Sequence, residues 1–331
     1  MLFLHSINSN HIQIMKIIGT GSALPSLIVT NDMLSEFLDT SNEWILTRTG
    51  ISQRRIISDE TIVDLAVSAS KKALESAFLD AKDVDFLICS NVVNNYVTPG
   101  LSCIVQGEIG ANCPCIDLNG ACSGFIYALG MAAAYLDTGK AKNILVVCAD
   151  ELSKIVNWHT RETSVLFGDG AGATIVTQGK NLKSMHLATT SATQSLYYQR
   201  ALEYNPYSKE EAYTPLVMNG KDVYKMAVNA SIHDISMVMK EAQVTQKEIS
   251  FYLLHQANLR IMETIREYLG EKEDKFPKNI HKYGNTSSAS IPILLDEMNR
   301  AGQLKNGDML VMSAFGAGFS SGACVLEWGN L

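Results

Sequence analysis

The sequence predicts an α/β protein built from two related halves, each layering helices on buried strands. Three observations carry that expectation: short apolar runs bounded by turn signals, longer runs with helical spacing between them, and a repeat at constant offset. KDVDFLICS at 82–90 aligns with KEISFYLLH at 247–255, an offset of 165. NILVVCA at 143–149 aligns with DMLVMSA at 308–314, again at 165. Each half also carries FGxG, at 167–170 and 315–318. Two matches at one offset, both in strand-like runs, mark a duplicated unit of roughly 150–165 residues. The expected layout is an extension at 1–14 outside the fold, an N-terminal half at 15–182 and a C-terminal half at 183–331.

Taken in chain order, residues 61–78 read as a helix through Leu65, Ala66, Ala69, Ala73, Leu74 and Ala77, with Ser58 and Asp59 as its start signal. Residues 86–89 read as a buried strand and 91–100 as a loop. Residues 123–137 are apolar on nearly every face, as a buried helix is, and Gly139 is the expected stop. Residues 143–148 and 173–176 are buried strands, separated by a loop at 151–162. The segment 194–215 is polar, holds five tyrosines, and is expected as a surface excursion over a site or interface. A second helix is expected at 222–242, with strands at 252–254 and 308–312.

Composition narrows the function classes. With 27 Lys and Arg against 34 Asp and Glu, the net charge of −7 points away from nucleic acid or an anionic membrane as the main partner. No run of 18 apolar residues exists, so no membrane span is expected. The N-terminal stretch lacks a cationic start and an unbroken apolar core, and makes a poor signal peptide. The seven cysteines are odd in number and scattered through apolar runs. Cys113-Pro114-Cys115 has no second pair or histidine cluster at zinc spacing, so no metal site is expected and free thiols in a reducing cytoplasm are.

The stretch LNGACSGFIYALG at 118–130 holds the most informative cysteine. Cys122 stands at a helix entrance between Gly120, Ala121 and Gly124, where the macrodipole and unpaired N–H groups favour thiolate and small neighbours admit a ligand. A small buried hydrophobe is the competing reading, and it suits Cys89, Cys148 and Cys324 inside strands. Position alone does not decide between the two for Cys122. His255 falls where a strand passes into a helix, a place where functional groups collect in α/β folds, though a lone histidine there is more often structural. Asn285 sits in a small-residue loop before another helix, where a cap or turn role is the ordinary one. The duplication nonetheless sets 284–289 opposite 119–124, which would bring Cys122 and Asn285 to facing positions.

These residues resemble the β-ketoacyl-acyl-carrier-protein synthase III enzymes of the thiolase-like superfamily. The likeness runs from about residue 15 to the end through TSNEWILTRTGI at 40–51, ACSGF at 121–125, FGDGAGA at 167–173, HQANLR at 255–260 and GNTSSAS at 284–290. The resemblance implies the thiolase-like layered α-β-α-β-α fold. It also implies a triad of Cys122, His255 and Asn285. Cys122 takes the acyl group from an acyl-CoA thioester, and His255 and Asn285 hydrogen-bond the malonyl-ACP thioester carbonyl as decarboxylation makes an enolate. Backbone N–H groups of Cys122 and Ala317 are implied as the oxyanion hole, with alanine standing where a glycine is common.

The same resemblance assigns coenzyme A contacts to Trp44, Arg48 and Arg161, with adenine sandwiched between Trp44 and Arg161. It assigns acyl-carrier-protein docking to Lys225 and Arg260. Thr98 falls where some relatives place a bulky aromatic that shortens the acyl pocket across a dimer interface, so a roomier pocket for branched or longer primers is expected. A cytoplasmic homodimer without cofactor, using acyl-CoA as substrate, completes the expectation. The alternative is a related condensing enzyme of specialised metabolism with another acceptor. A chain-elongating synthase would use two histidines, and a degradative thiolase a second cysteine in the late glycine-rich loop. A non-catalytic partner subunit would lack the nucleophile, and a papain-like hydrolase would lack the duplicated α/β layout.

Overall fold

The computed structural model describes residues 15–199 and 214–329. The expected extension at 1–14 and the centre of the tyrosine-rich excursion lie outside those residues. After β1 (Lys16–Ala23), an antiparallel ribbon of β2 (Leu27–Thr30) and β3 (Gln53–Ile56) brackets α1 (Asn31–Ser35) and α2 (Asn42–Thr49). Ser41 caps α2 by accepting the Trp44 N–H at 3.1 Å, which fixes the turn carrying Trp44 and Arg48. The helix α3 (Ile62–Ser76) follows, with the expected apolar stripe buried. Its start differs from the expectation. Thr61, rather than Ser58 or Asp59, is the cap, and its side chain and that of Asp64 complete a reciprocal capping box.

The first sheet then assembles from β4 (Phe86–Ser90), β5 (Cys115–Leu118), β6 (Asn143–Asp150) and β7 (Gly170–Thr177), in the order β1-β7-β6-β4-β5. Between them run α4 (Leu101–Ile109), α5 (Gly124–Asp137) and the single turn α6 (Arg161–Ser164). In β6, Ile144, Val146 and Cys148 join the central core, while Leu145, Val147 and Ala149 join the core under α3. A strand covered on both faces needs apolar residues at every position, which is why it read as an unbroken run. Gly139 ends α5 in the left-handed region at φ 67°, as expected.

The second sheet has the order β11-β12-β13-β8, from β8 (Leu182–Thr189), β11 (Ile249–Leu254), β12 (Met309–Gly316) and β13 (Ser320–Glu327). Before β11 come a hairpin of β9 (Leu196–Gln199) with β10 (Thr214–Met218) and the long α7 (Gly220–Ala242). The excursion expected as a loop is therefore stranded at both ends. After β11 come α8 (Leu259–Leu269), α9 (Ile280–Tyr283) and α10 (Ser290–Arg300). The two sheets repeat one pattern. β4 pairs parallel with β6, which pairs antiparallel with β7; β11 pairs parallel with β12, which pairs antiparallel with β13. Side chains of α5 and α10 fill the space between the sheets, α3 and α4 cover the outside of the first, and α7 and α8 the outside of the second. The result is five layers, helix–sheet–helix–sheet–helix.

Candidate active site

Cys122 lies in the helical turn Ala121–Ser123, just before α5. Asn119 Oδ1 accepts the Ala121 N–H at 3.1 Å, and Ala121 takes φ 46°, a tight bend before the thiol. The Ser123 hydroxyl donates to the Gly120 carbonyl at 2.7 Å and sits 2.8 Å from the Ser320 hydroxyl, pinning the turn to β13. Gly316 packs on the turn so closely that a Cβ there would lie 2.7 Å from the Cys122 nitrogen. The second half repeats this device. Asn285 Oδ1 accepts the Ser287 N–H at 2.9 Å, and Ser287 takes φ 54° at the head of the turn before α10. The geometry thus pairs Asn119 with Asn285 and Cys122 with Ser288, offset by one residue from the alignment the strands suggested.

Cys122, His255 and Asn285 line one cavity of about 110 Å³, together with Phe167 and Phe315 from the two FGxG runs. His255 follows β11, its N–H donating to the Ser313 carbonyl of β12 at 2.9 Å. Its ring stands edge-on to Phe315, centroids 5.3 Å apart, and it is 2% exposed. Its Nδ1 is 2.7 Å from the Ser290 hydroxyl. The Gln256 N–H donates to that same oxygen at 3.4 Å, an arrangement that leaves the serine hydrogen available to Nδ1. With that hydrogen donated to Nδ1, the neutral ring carries its own proton on Nε2, which has no hydrogen-bond partner among the described residues. For Asn285, commitment of Oδ1 to Ser287 leaves the Nδ2 hydrogens as donors. Both side chains offer hydrogen to the cavity.

Electrostatics runs against one expectation. Burial pushes the Cys122 thiol up to about 12; the Ser287 hydroxyl and the cysteine's own N–H lower it, and Asp150 raises it further. A helix terminus is worth about 0.3–1 kcal/mol, less than the roughly 1.4 kcal/mol of one pKa unit. Desolvation wins, and the resting sulfur is a thiol. Burial likewise holds His255 down to about 3, so the imidazole is neutral. Asp150, deep beneath the site, is raised to about 6 by burial, although Val92 N–H, Val93 N–H and the Ser288 hydroxyl donate to it.

At the rim the other expected residues fall as follows. Trp44 has the guanidinium carbons of both Arg48 and Arg161 at 4.5 Å from its ring centroid, so Arg161 now occupies the position expected for a sandwiched base. Arg161 also donates to the Asp39 carbonyl at 2.8 Å. Lys225 and Arg260 are exposed, next in sequence to the cavity-lining Tyr224 and Ile261. Ala317 opens the turn after β12, and the left-handed position belongs to Gly318 at φ 106°, so alanine is accommodated. Thr98 is exposed in the 91–100 loop, away from this chain's cavity. Sequence reasoning missed Ser290, which lay inside the GNTSSAS motif without a role, and Asp150, whose only signal was an acid ending an apolar strand. Leu196 and Met218 of the hairpin also line the cavity.

Comparison with known proteins adds a further line of support. The family described as 3-oxoacyl-[acyl-carrier-protein (ACP)] synthase III matches residues 116–194, and its C-terminal counterpart residues 239–328. Beta-ketoacyl-[acyl-carrier-protein] synthase III of Clostridium acetobutylicum is 41% identical over 95% of this chain and 98% of its own length. The enzyme of that name from Oceanobacillus iheyensis is 42% identical over 95% and 99%. Among solved structures, 3-oxoacyl-[acyl-carrier-protein] synthase III from Aquifex aeolicus superposes with TM-score 0.89 at 39% identity, covering 95% of this chain and all of the other.

Proposed function

The chain belongs to the β-ketoacyl-[acyl-carrier-protein] synthase III family, and on that premise we propose how its residues carry out the condensation of an acyl-CoA primer with malonyl-ACP that initiates fatty-acid synthesis. The Cys122 sulfur attacks the thioester carbonyl of the primer, and its proton leaves with the coenzyme A thiol. N–H groups of Cys122 and Ala317 hold the oxyanion of that step. Malonyl-ACP then loses carbon dioxide, and the enolate oxygen is held by His255 Nε2–H and Asn285 Nδ2–H. The enolate carbon attacks the acyl-cysteine, the C–S bond breaks, and the sulfur regains a proton from solvent as the product leaves and the site reopens. The product is a β-ketoacyl-ACP.

The observation that carries this reading is one largely apolar cavity holding a thiol and two side chains whose hydrogen-bond partners leave them hydrogens to donate. Burial that suppresses the free thiolate also favours the uncharged acyl-cysteine and keeps water from it. Trp44, Arg48 and Arg161 are proposed to take the nucleotide end of coenzyme A, Arg161 swinging off Trp44 to admit adenine. Lys225 and Arg260 are proposed to meet the acidic carrier protein, a local contact that an overall charge of −7 makes necessary. A homodimer is supported by β5, whose outer edge is unpaired among the described strands and which exposes Ile116. Seven free thiols suit the cytoplasm.

The test is intact mass after incubation with short, branched and medium acyl-CoAs, with Cys122→Ala as control, followed by malonyl-ACP. Adducts that need Cys122 and pass into β-ketoacyl-ACP are expected. Adducts that ignore malonyl-ACP would transfer the assignment to another acceptor, and no adduct from any donor would overturn the role of Cys122.

A further inference from the structure

Away from the active site, three ligand-type side chains converge between α7 and the edge strand β8: His186, His233 and Asp234. The donor atoms of the three all lie within 4.8 Å of one another. We propose that they form a binding site for a divalent transition metal of the zinc type. Strand alternation explains the meeting. The Ser184 hydroxyl donates to the Val238 carbonyl of α7 at 2.7 Å, so His186, two residues on, faces the same helix. Asp234 is 1% exposed, and its Oδ2 has no hydrogen-bond partner among the described residues. The Ser321 hydroxyl and the two imidazoles interact with this carboxylate, and its Oδ2 is still left without a hydrogen bond, a buried oxygen that a cation would satisfy.

His186 and Asp234 stand at ion-pair distance but too far apart for a direct hydrogen bond, a spacing that shared ligation also produces. His186 Nε2 and Asp234 Oδ1 are 3.6 Å apart, beyond the about 2.7–2.9 Å of a charge-assisted hydrogen bond. Two ligands at about 2.0–2.1 Å from one tetrahedral zinc lie roughly 3.4 Å from each other. The His186 and His233 rings are 5.9 Å apart and near perpendicular, and exposed His233 has the freedom to swing in as the third ligand. Two imidazoles and a carboxylate suit zinc, nickel or copper, with water in the remaining position. The expectation of a metal-free chain rested on cysteine spacing, whereas these ligands are separated by 47 residues and meet only through the fold. An ion here would clamp α7 to β8, and the first turn of α7 lines the active-site cavity.

The experiment titrates chelator-stripped protein with Zn²⁺ against a chromogenic chelator, and with Co²⁺ by absorption, for the natural chain, His186→Ala and His233→Ala. One tight zinc equivalent is expected. Each substitution should weaken it by more than the roughly 10–100-fold that loss of an outer-shell partner costs. Zinc should also raise the melting temperature of the natural chain and not that of His233→Ala. Cobalt should give visible bands without a thiolate charge-transfer band. Absence of binding, equal binding by the variants, or a thiolate band from cobalt held by Cys103, Cys113 and Cys115 would each overturn the assignment. His233 is exposed, so its variant tests the site without disturbing the core.

Discussion

At His255 the decisive feature is a hydroxyl rather than a charge. With the Ser290 hydrogen donated to Nδ1, Nε2–H is left to face the carbonyl that the proposed mechanism sets there. Ser290→Ala removes that instruction while keeping the ring. The expected result is normal acylation of Cys122 by mass, with condensation slowed about 10–100-fold, the loss of one to two hydrogen bonds' worth of positioning. Ser290→Thr should restore most of the rate, which a merely structural role for the position would not require. Equal loss of acylation and condensation would refute the positioning role. Because burial holds His255 near 3, protonation of this ring does not intervene at neutral or mildly acid pH. The rate of condensation by pre-formed acyl-enzyme should therefore show no acid-side limb with an apparent pKa near 6.5. Such a limb, abolished by His255→Gln, would mean that the ring is solvated during turnover.

Elements place these side chains, and most of them were readable as pattern. The stripe of α3, the all-round apolar surface of α5 and the unbroken run of β6 each announce burial on one face, all faces and two faces respectively, since spacing encodes which faces are covered. The cavity at the heads of α5 and α10 was legible through the repeat and the motifs. What lay beyond the sequence depends on distances between elements: the buried, apolar surroundings that lift the Cys122 thiol, the hairpin of β9 and β10, and the contact between β12 and the nucleophile turn. That last contact makes a prediction. At Gly316 an added Cβ would meet the Cys122 nitrogen at 2.7 Å and the Ala121 Cβ at 2.9 Å, with backbone on both sides and no flexible tip to give way. Gly316→Ala should displace the turn that aims the thiol and the N–H proposed for the oxyanion. Acylation should fall at least about 100-fold, comparable to loss of an oxyanion donor, whereas Gly107→Ala, with open space around it, should leave it unchanged. Unimpaired acylation by Gly316→Ala would show that the turn adapts.

At the scale of the molecule, the two halves are sewn together by buried acids. Asp296 of α10 accepts the hydroxyls of Thr20 and Ser22 on β1 at 2.8 and 2.6 Å. Asp150, at the end of β6, takes the Val92 and Val93 N–H groups of its own half and the Ser288 hydroxyl of the other. Asp150 has a measurable signature, because burial raises its carboxyl from 3.8 to about 6. Between those values the folded chain keeps a proton that the unfolded chain has released. The unfolded state therefore binds fewer protons there, and stability falls as pH rises from about 4 to about 6. The shift corresponds to a cost on the order of 3 kcal/mol once the group is ionised. Asp150→Asn keeps an acceptor for the two N–H groups and has no proton to lose. Urea unfolding of both chains at several pH values between 4 and 7 should therefore show the stability difference moving in the variant's favour as pH rises, by up to that amount. The change should level off above about pH 7. Parallel curves for the two chains would mean that Asp150 is ionised throughout and that its three donors, not burial, govern it.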